Sequence, residues 1–272
     1  MRLASLTLRD RVAVVTGGGQ GIGRAICLAF AQFGAGVCVA DIDPASATMA
    51  AEIEAMGRQA MVLNANVTDA AQVAEVVEKT VARFGHIDIL VNNAGGASGS
   101  GFKIGRVVNI EEQDWDGTIN ANLKSAFLCS RAVGRLMLQR RKGAIVNMAS
   151  VTGKLPWAGL PAYSAAKAAV ISLTRSLAME LAPHVRVNAI APGLIETPRT
   201  SRNRRPEQLD QLLTNVPLGR MARPEEVADL AVYLASDVAS WVTGAVLDFT
   251  GGQLWMSEDG RPKFRDVQEP PT

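Results

Sequence analysis

The sequence predicts an α/β fold, a doubly wound, Rossmann-type three-layer sandwich built on a parallel sheet of about seven strands. Three observations predict it. Short apolar, β-branched runs alternate with longer helical stretches along the whole chain, the pattern of right-handed βαβ units. The runs are apolar throughout rather than at every second residue, as strands covered on both faces are. The first run passes through a glycine-rich turn into a helix, the first βα junction of such a sheet.

The elements follow in order. Val12 to Thr16 is a buried strand, broken by Gly17-Gly18-Gly19-Gln20-Gly21-Ile22-Gly23. A helix follows with Ile26, Cys27, Phe30 and Phe33 on one face, ending at Gly34. Gly36 to Asp41 is the second strand, and Asp43-Pro44 starts a helix running to Gly57. Met61 to Leu63 is the third strand, and Asp69 caps a helix through Phe84-Gly85. Ile87 to Val91 is the fourth strand, ending in Asn92-Asn93-Ala94-Gly95. Gly96 to Gly105 reads as a loop. One long helix is expected from about Glu111 to Arg140, then a fifth strand from Ala144 to Met148. The next helix, across Ala162 to Val170, ends near Pro183. Val185 to Ile190 is the sixth strand, Thr197 to Asn215 a polar, basic lid, Pro224-Glu225-Glu226 the start of another helix, and Ala245 to Phe249 the last strand. No linker divides residues 1–254, which are read as one domain, and residues 255–272 form a charged tail with three prolines.

Composition narrows the function classes. At 272 residues and 48% hydrophobic the chain can bury a large core. A net charge of +2 is too small to draw nucleic acid or a membrane surface. Cys27, Cys38 and Cys129 stand apart without a C-x-x-C, as small core residues of a reducing compartment. His86 and His184 are too far apart to suggest a metal site. The start of the chain lacks a signal peptide's apolar region. No apolar run approaches the ~18 residues of a membrane span. A cytoplasmic protein is expected.

Two constellations point to chemistry. Tyr163 and Lys167 lie four apart in a run of small helix formers, so they share a helix face with Cβ atoms roughly 5–6 Å apart. At about 4 Å and an effective dielectric near 20, an ammonium and a phenolate attract by about 4 kcal/mol. A phenol so placed is expected to ionise more readily and to exchange a proton near neutrality. The second constellation is Thr16-Gly17-x-x-x-Gly21-x-Gly23 between strand and helix. A helix N-terminus offers free N–H groups and partial positive charge, and glycines let a pyrophosphate approach the backbone. Asp41 ends the second strand, where a carboxylate accepts from the 2′- and 3′-hydroxyls of an adenosine ribose and repels a 2′-phosphate. No arginine or lysine stands at Ile42 or Gln20. NAD(H) is therefore expected over NADP(H).

These motifs, with Asn122-Leu123, Ser150 and Pro192-Gly193, fall in one order along the chain. Over about residues 7 to 254 the chain resembles a short-chain dehydrogenase/reductase of the single-domain branch. The resemblance implies reversible hydride transfer between NAD and a carbonyl or secondary alcohol. Tyr163 is implied as general acid/base, and Lys167 lowers its pKa and holds the nicotinamide ribose. Ser150 hydrogen-bonds the substrate oxygen, and Asn122 holds a water linking Lys167 to solvent. Asn120, two residues earlier, is not followed by leucine and is set aside. Gly17, Gln20, Gly21, Ile22, Gly23, Asp41, Ile42, Asn66, Val67, Asn93, Ala94 and Gly95 are implied as cofactor-binding, with the glycine turn at the pyrophosphate, Asp41 at the adenosine ribose and Asn66 at the adenine amino group. Asn92, Asn93, Ala94 and Gly95 end the fourth strand, with Asn92 and Ala94 lining the adenosine side. Pro192, Gly193 and Thr197 face the nicotinamide carboxamide, and Ile195 its ring. Asn66 departs from the family's usual aspartate, but its amide oxygen can still accept from the adenine amino group.

The substrate is left open. Thr152, Leu155, Trp157, Leu160 and residues 194–213 are pocket candidates. Arg199, Arg202, Arg204 and Arg205 form either a solvated loop or a site at which one of them binds a carboxylate or phosphate. A 3-oxoacyl-[acyl-carrier-protein] reductase using NADPH is the close alternative, and a non-catalytic dinucleotide sensor a more distant one. The resemblance also implies a homotetramer, built through the two long helices and the last strand.

Overall fold

The computed structural model describes residues 6–96, 103–202 and 212–253. The tail at 255–272, Arg204, Arg205 and most of the loop between Gly96 and Gly105 lie outside the described residues.

Seven parallel strands form one sheet in the order β3-β2-β1-β4-β5-β6-β7. They are β1 (Val12–Thr16), β2 (Gly36–Asp41), β3 (Ala60–Asn64), β4 (Ile89–Asn92), β5 (Gly143–Met148), β6 (Val185–Pro192) and β7 (Val246–Phe249). Successive residues of a strand face opposite sides, so each strand supplies two cores. Ala13 and Val15 of β1 pack under α1 (Gly21–Gln32) and α8 (Pro224–Ala235), with Ile26, Phe30, Val227 and Leu234. Val14 packs on the other face under α3 (Ala70–Phe84) and α5 (Ser125–Arg140), with Val76, Leu128 and Met137. This two-sided burial is why the strands read as unbroken apolar runs.

Local chemistry sets the helix boundaries. The Asp69 carboxylate accepts from the N–H groups of Ala71 and Gln72 at 2.8 and 3.4 Å and starts α3. Gly85, at φ +84°, closes it. Two expected helices differ. The helix expected from Asp43 begins as a 3-10 turn over Pro44–Ala47, and the α-helical part, α2, is only Thr48–Ala55. Asp43 accepts from Ala45 N at 2.9 Å and tightens that first turn. The long helix expected over 111–140 is α4 (Glu112–Ile119), then a π-helical segment at Asn120–Lys124, then α5. The Asn122 side-chain amide donates to the Thr118 carbonyl four residues back, at 2.9 Å. It competes there for the acceptor of an ordinary α-turn and widens the helix. The helix that carries Tyr163 is α6 (Pro161–Leu181), and a short α7 (Pro198–Arg202) follows β6. Among the described residues no helix is long and apolar enough to cross a membrane.

The order of strands reverses between β1 and β4, and at such a point the carboxyl ends of the strands open a crevice. The β1–α1 turn beside it depends on glycine. Gly17 and Gly21 sit at φ +63° and +56°. Gly23 faces the Gly17 carbonyl oxygen so closely that a Cβ would fall on it. The Asn93 side chain holds the turn from below, donating to the Thr16 and Gly17 carbonyls at 3.1 and 2.8 Å. Gly23→Ala is therefore expected to destabilise by about 3 kcal/mol, the upper end of overpacking, lowering Tm by roughly 6–12 °C. Gly57 has φ +73° but open space around it, so Gly57→Ala carries only backbone strain of about 1 kcal/mol. Thermal unfolding of both variants checks the ranking, and an equal or smaller loss at Gly23 contradicts it.

Candidate active site

A cavity of about 660 Å³ runs along the carboxyl edge of the sheet. Every residue expected to hold a dinucleotide lines it except Gly23, which lies behind the turn, and Asn92. Ser150, Tyr163 and Lys167 line it too, and Asn122 sits behind its wall at Gly96.

At the β2 end the charge is negative and fixed. The Asp41 carboxylate, 9% exposed, accepts from Gly19 N at 2.8 Å through one oxygen and from Asp43 N at 3.0 Å through the other. Each oxygen keeps acceptor capacity for a hydroxyl. The next side chain, Ile42, is apolar and 69% exposed, so no cation compensates a phosphate there. With the glycine turn and the N-terminus of α1 beside it, this end fits the adenosine half of a dinucleotide.

Two amide side chains are placed differently from expectation. Asn66 uses its oxygen locally, accepting from Thr68 N at 3.0 Å and Thr68 Oγ1 at 2.8 Å. Both lone pairs are occupied, so the side chain offers its NH₂ to the cavity rather than an acceptor for an amino group. Asn92 does not line the adenosine side. Strand alternation turns it inward, where its amide donates to Ser130 Oγ at 2.9 Å and Asn147 Oδ1 at 2.8 Å. Asn93 takes the cavity side instead.

At the β5 end the groups are donors. Lys167, 4% exposed, donates to the Met148 carbonyl at 2.7 Å, which ties α6 to the end of β5. Burial, and then the charge of Arg199, pull its pKa down to about 7. Tyr163 stands beside it, its ring centroid 5.6 Å from Lys167 Nζ. Burial pushes the phenol's pKa up, while a hydrogen bond with Ser150 and the Arg199 charge pull it back. This corrects the expectation that Lys167 acidifies the tyrosine. A buried ammonium that itself loses charge near neutrality is a poor source of attraction, and the opposing forces come from Ser150 and Arg199.

Asn122 is likewise occupied. Its oxygen accepts from Gly96 N at 3.0 Å and its amide donates to Gly96 O and Thr118 O, each at 2.9 Å. Both amide hydrogens are used and the oxygen keeps one lone pair, so the side chain braces the wall and can still accept from a water.

Of the four arginines in the lid, Arg199 is the one described at the cavity. It donates from Nη1 to Gly95 O at 3.0 Å, beside Gly96, which leaves room for the guanidinium because it has no side chain. The sequence held four equivalent arginines and no signal to choose among them. Ile104 and Ala121 also line the cavity and were not foreseen. Among the pocket candidates, Leu155, Trp157 and Leu160 do not line it, and Thr152 is buried beneath Ser150.

Residues 17–253 match the family model described as "Enoyl-(Acyl carrier protein) reductase". The chain is 43% identical over 250 residues to the 3-oxoacyl-[acyl-carrier-protein] reductase FabG of Thermotoga maritima, covering 91% of this chain and 99% of that one. It is 41% identical over 249 residues to the (2S)-[(R)-hydroxy(phenyl)methyl]succinyl-CoA dehydrogenase subunit BbsD of Thauera aromatica, covering 90% and 97%. Among solved structures, a short-chain type dehydrogenase/reductase from Mycobacterium marinum superposes with TM-score 0.86 at 33% identity, covering 93% and 99%. A 7α-hydroxysteroid dehydrogenase complexed with NADH and 7-oxo glycochenodeoxycholic acid does so with TM-score 0.86 at 31% identity, covering 95% and 97%. Fold, ordered motifs and relatives agree: the chain belongs to the short-chain dehydrogenase/reductase family of oxidoreductases, which act with a nicotinamide dinucleotide.

Proposed function

We propose that the protein is an NAD(H)-dependent oxidoreductase that interconverts a secondary alcohol and a ketone. The observation that carries this is the shared cavity, with Asp41 and the glycine turn at one end and Ser150, Tyr163 and Lys167 at the other. The dinucleotide, when bound, supplies or takes the hydride. Tyr163 gives its proton to the carbonyl oxygen in reduction and takes the hydroxyl proton in oxidation. Ser150 donates to that oxygen and stabilises the negative charge it gains. Lys167 has donors left beyond its bond to Met148 and holds the nicotinamide ribose hydroxyls. Asn122 fixes Gly96 and the π-helical segment, which keeps the cavity wall in place. Arg199, a cation beside Tyr163 and Lys167, favours a substrate with an anionic group.

A second assignment is favoured by the relatives. The names of FabG and BbsD put the substrates of those two relatives on an acyl chain carried by a protein or by coenzyme A. A 3-oxoacyl-[acyl-carrier-protein] reductase using NADPH is therefore the alternative. Asp41 opposes it, because a fixed carboxylate at the ribose repels a 2′-phosphate. Exposed apolar side chains, Phe127 on α5, Met179 on α6 and Trp241 just before β7, support the homotetramer.

Three measurements test these assignments. With ethyl acetoacetate as probe, kcat/KM is expected to be higher with NADH than with NADPH, and Asp41→Ala should narrow the gap. A higher value with NADPH removes the NAD assignment in favour of the acyl-carrier one. Tyr163→Phe should bind NADH with unchanged Kd, read by fluorescence, and lose about 10²–10⁴-fold in turnover; retained turnover removes the proton-transfer role. Sedimentation should give four times the 28.8 kDa chain mass, and a monomer mass excludes the tetramer.

A further inference from the structure

Ser150 has one hydroxyl proton and two lone pairs. Thr152 occupies both lone pairs. Its backbone N–H donates to Ser150 Oγ at 3.2 Å and its hydroxyl donates to the same atom at 3.0 Å. Both residues are buried, so water does not compete freely for these bonds. The only hydrogen-bonding capacity left on Ser150 is its own O–H, as a donor.

The turn that makes these two bonds is itself fixed. Val151–Gly153 is a 3-10 turn at the end of β5. Gly153 packs so closely on α6 that a Cβ would lie 2.7 Å from the Lys167 carbonyl carbon and 2.8 Å from its oxygen. The Lys167 side chain meanwhile bonds to Met148, the last residue of β5 before that turn. Thr152 therefore sits in a segment held against the helix of Tyr163 and Lys167 at both ends. The Thr152 N–H bond alone is an ordinary turn cap, which any residue at 152 would supply. The Thr152 hydroxyl is the addition, and valine, of nearly the same shape, would lack it.

We propose that Thr152 is a positioning residue that makes Ser150 an obligate hydrogen-bond donor, toward the Tyr163 phenol in the absence of substrate and toward the reacting oxygen when a substrate is bound. This rests on the assignment of Ser150 and Tyr163 to proton transfer. With the second lone pair free, Ser150 can turn its proton elsewhere and accept from Tyr163 instead, which reverses the dipole that the developing oxyanion needs. The bond between Ser150 and Tyr163 also lowers the phenol's pKa, so loosening Ser150 raises it.

The test uses Thr152→Val, Thr152→Ser and Ser150→Ala, singly and combined, with NADH and ethyl acetoacetate. A second readout needs no turnover. The chain has two tyrosines, so in a Tyr233→Phe background Tyr163 is the only phenol, and its ultraviolet phenolate absorbance reports its titration. Thr152→Val is expected to lower kcat about 10-fold with KM unchanged, less than the roughly 10²–10³-fold of removing an oxyanion donor outright. It should raise the Tyr163 titration midpoint, and Thr152→Ser should restore both. In the Ser150→Ala background Thr152→Val should add no further loss. Wild-type turnover and midpoint in Thr152→Val overturn the proposal, as does a loss that persists undiminished without Ser150. Failure of the proton-transfer assignment shows separately, as full turnover in Ser150→Ala or Tyr163→Phe.

Discussion

The bond from Lys167 Nζ to the Met148 carbonyl fixes the geometry on which the rest of the site depends. It joins the first third of α6 to the last residue of β5, two elements that the chain connects only through the Val151–Gly153 turn and an open loop. Ser150 lies two residues past Met148 and Tyr163 one helical turn before Lys167. Setting Lys167 on Met148 therefore sets Ser150 against Tyr163. A buried ammonium is expensive to hold in the charged form, and the depressed pKa of about 7 is the consequence. The native state binds this proton less readily than the unfolded chain does. Lys167 thus contributes stability present above its unfolded pKa near 10.5 and lost as pH falls toward about 7.

Charge along the cavity follows from the same economy of contacts. Burial disfavours the charged form of Lys167, and a second cation stands at the reacting end in Arg199, held by the Gly95 carbonyl. Its charge lowers the pKa of both Tyr163 and Lys167. These are opposite effects on function: an easier phenolate and a more easily discharged lysine. An anion arriving between Arg199 and Lys167 favours the charged form of the lysine and disfavours the phenolate. The proton inventory of the site is thus coupled to what occupies it.

The order and type of strands were legible because a parallel sheet buried on both faces writes itself as apolar runs, and turn chemistry writes the ends. Asp69 and Gly85 mark α3 by residue type alone. The π-helical segment was not legible, because Asn122, whose amide takes the Thr118 carbonyl, is also bound to Gly96 on another strand's loop. Asn92 and Asn93 differ only by strand alternation, and one residue's shift exchanges the core for the cavity. The tyrosine and lysine were found by spacing, but their influence on each other was not. Spacing gives the separation of two groups on a helix and says nothing of the burial that drives both pKa values. Arg199 was visible only as one of four arginines until the Gly95 carbonyl singled it out.

Most polar groups facing the cavity are bound on one side by the chain and open on the other. Asp41 has both oxygens on backbone N–H groups and keeps acceptor capacity. Asn66 has its oxygen on Thr68 and keeps its amide hydrogens. Ser150 has both lone pairs on Thr152 and keeps its proton. Lys167 and Arg199 each give one donor to a carbonyl and keep others. Each bond to the chain removes rotational freedom before a ligand arrives, so the remaining capacity is oriented in advance. What remains is the Asp41 acceptor at the β2 end, with the Asn66 amide beyond it, and donors at the β5 end. A ligand complementary to this cleft presents hydroxyl donors at one end and an oxygen that accepts, and gains negative charge, at the other. Under the proposed function, the ribose of the dinucleotide meets the first requirement and a carbonyl undergoing reduction meets the second.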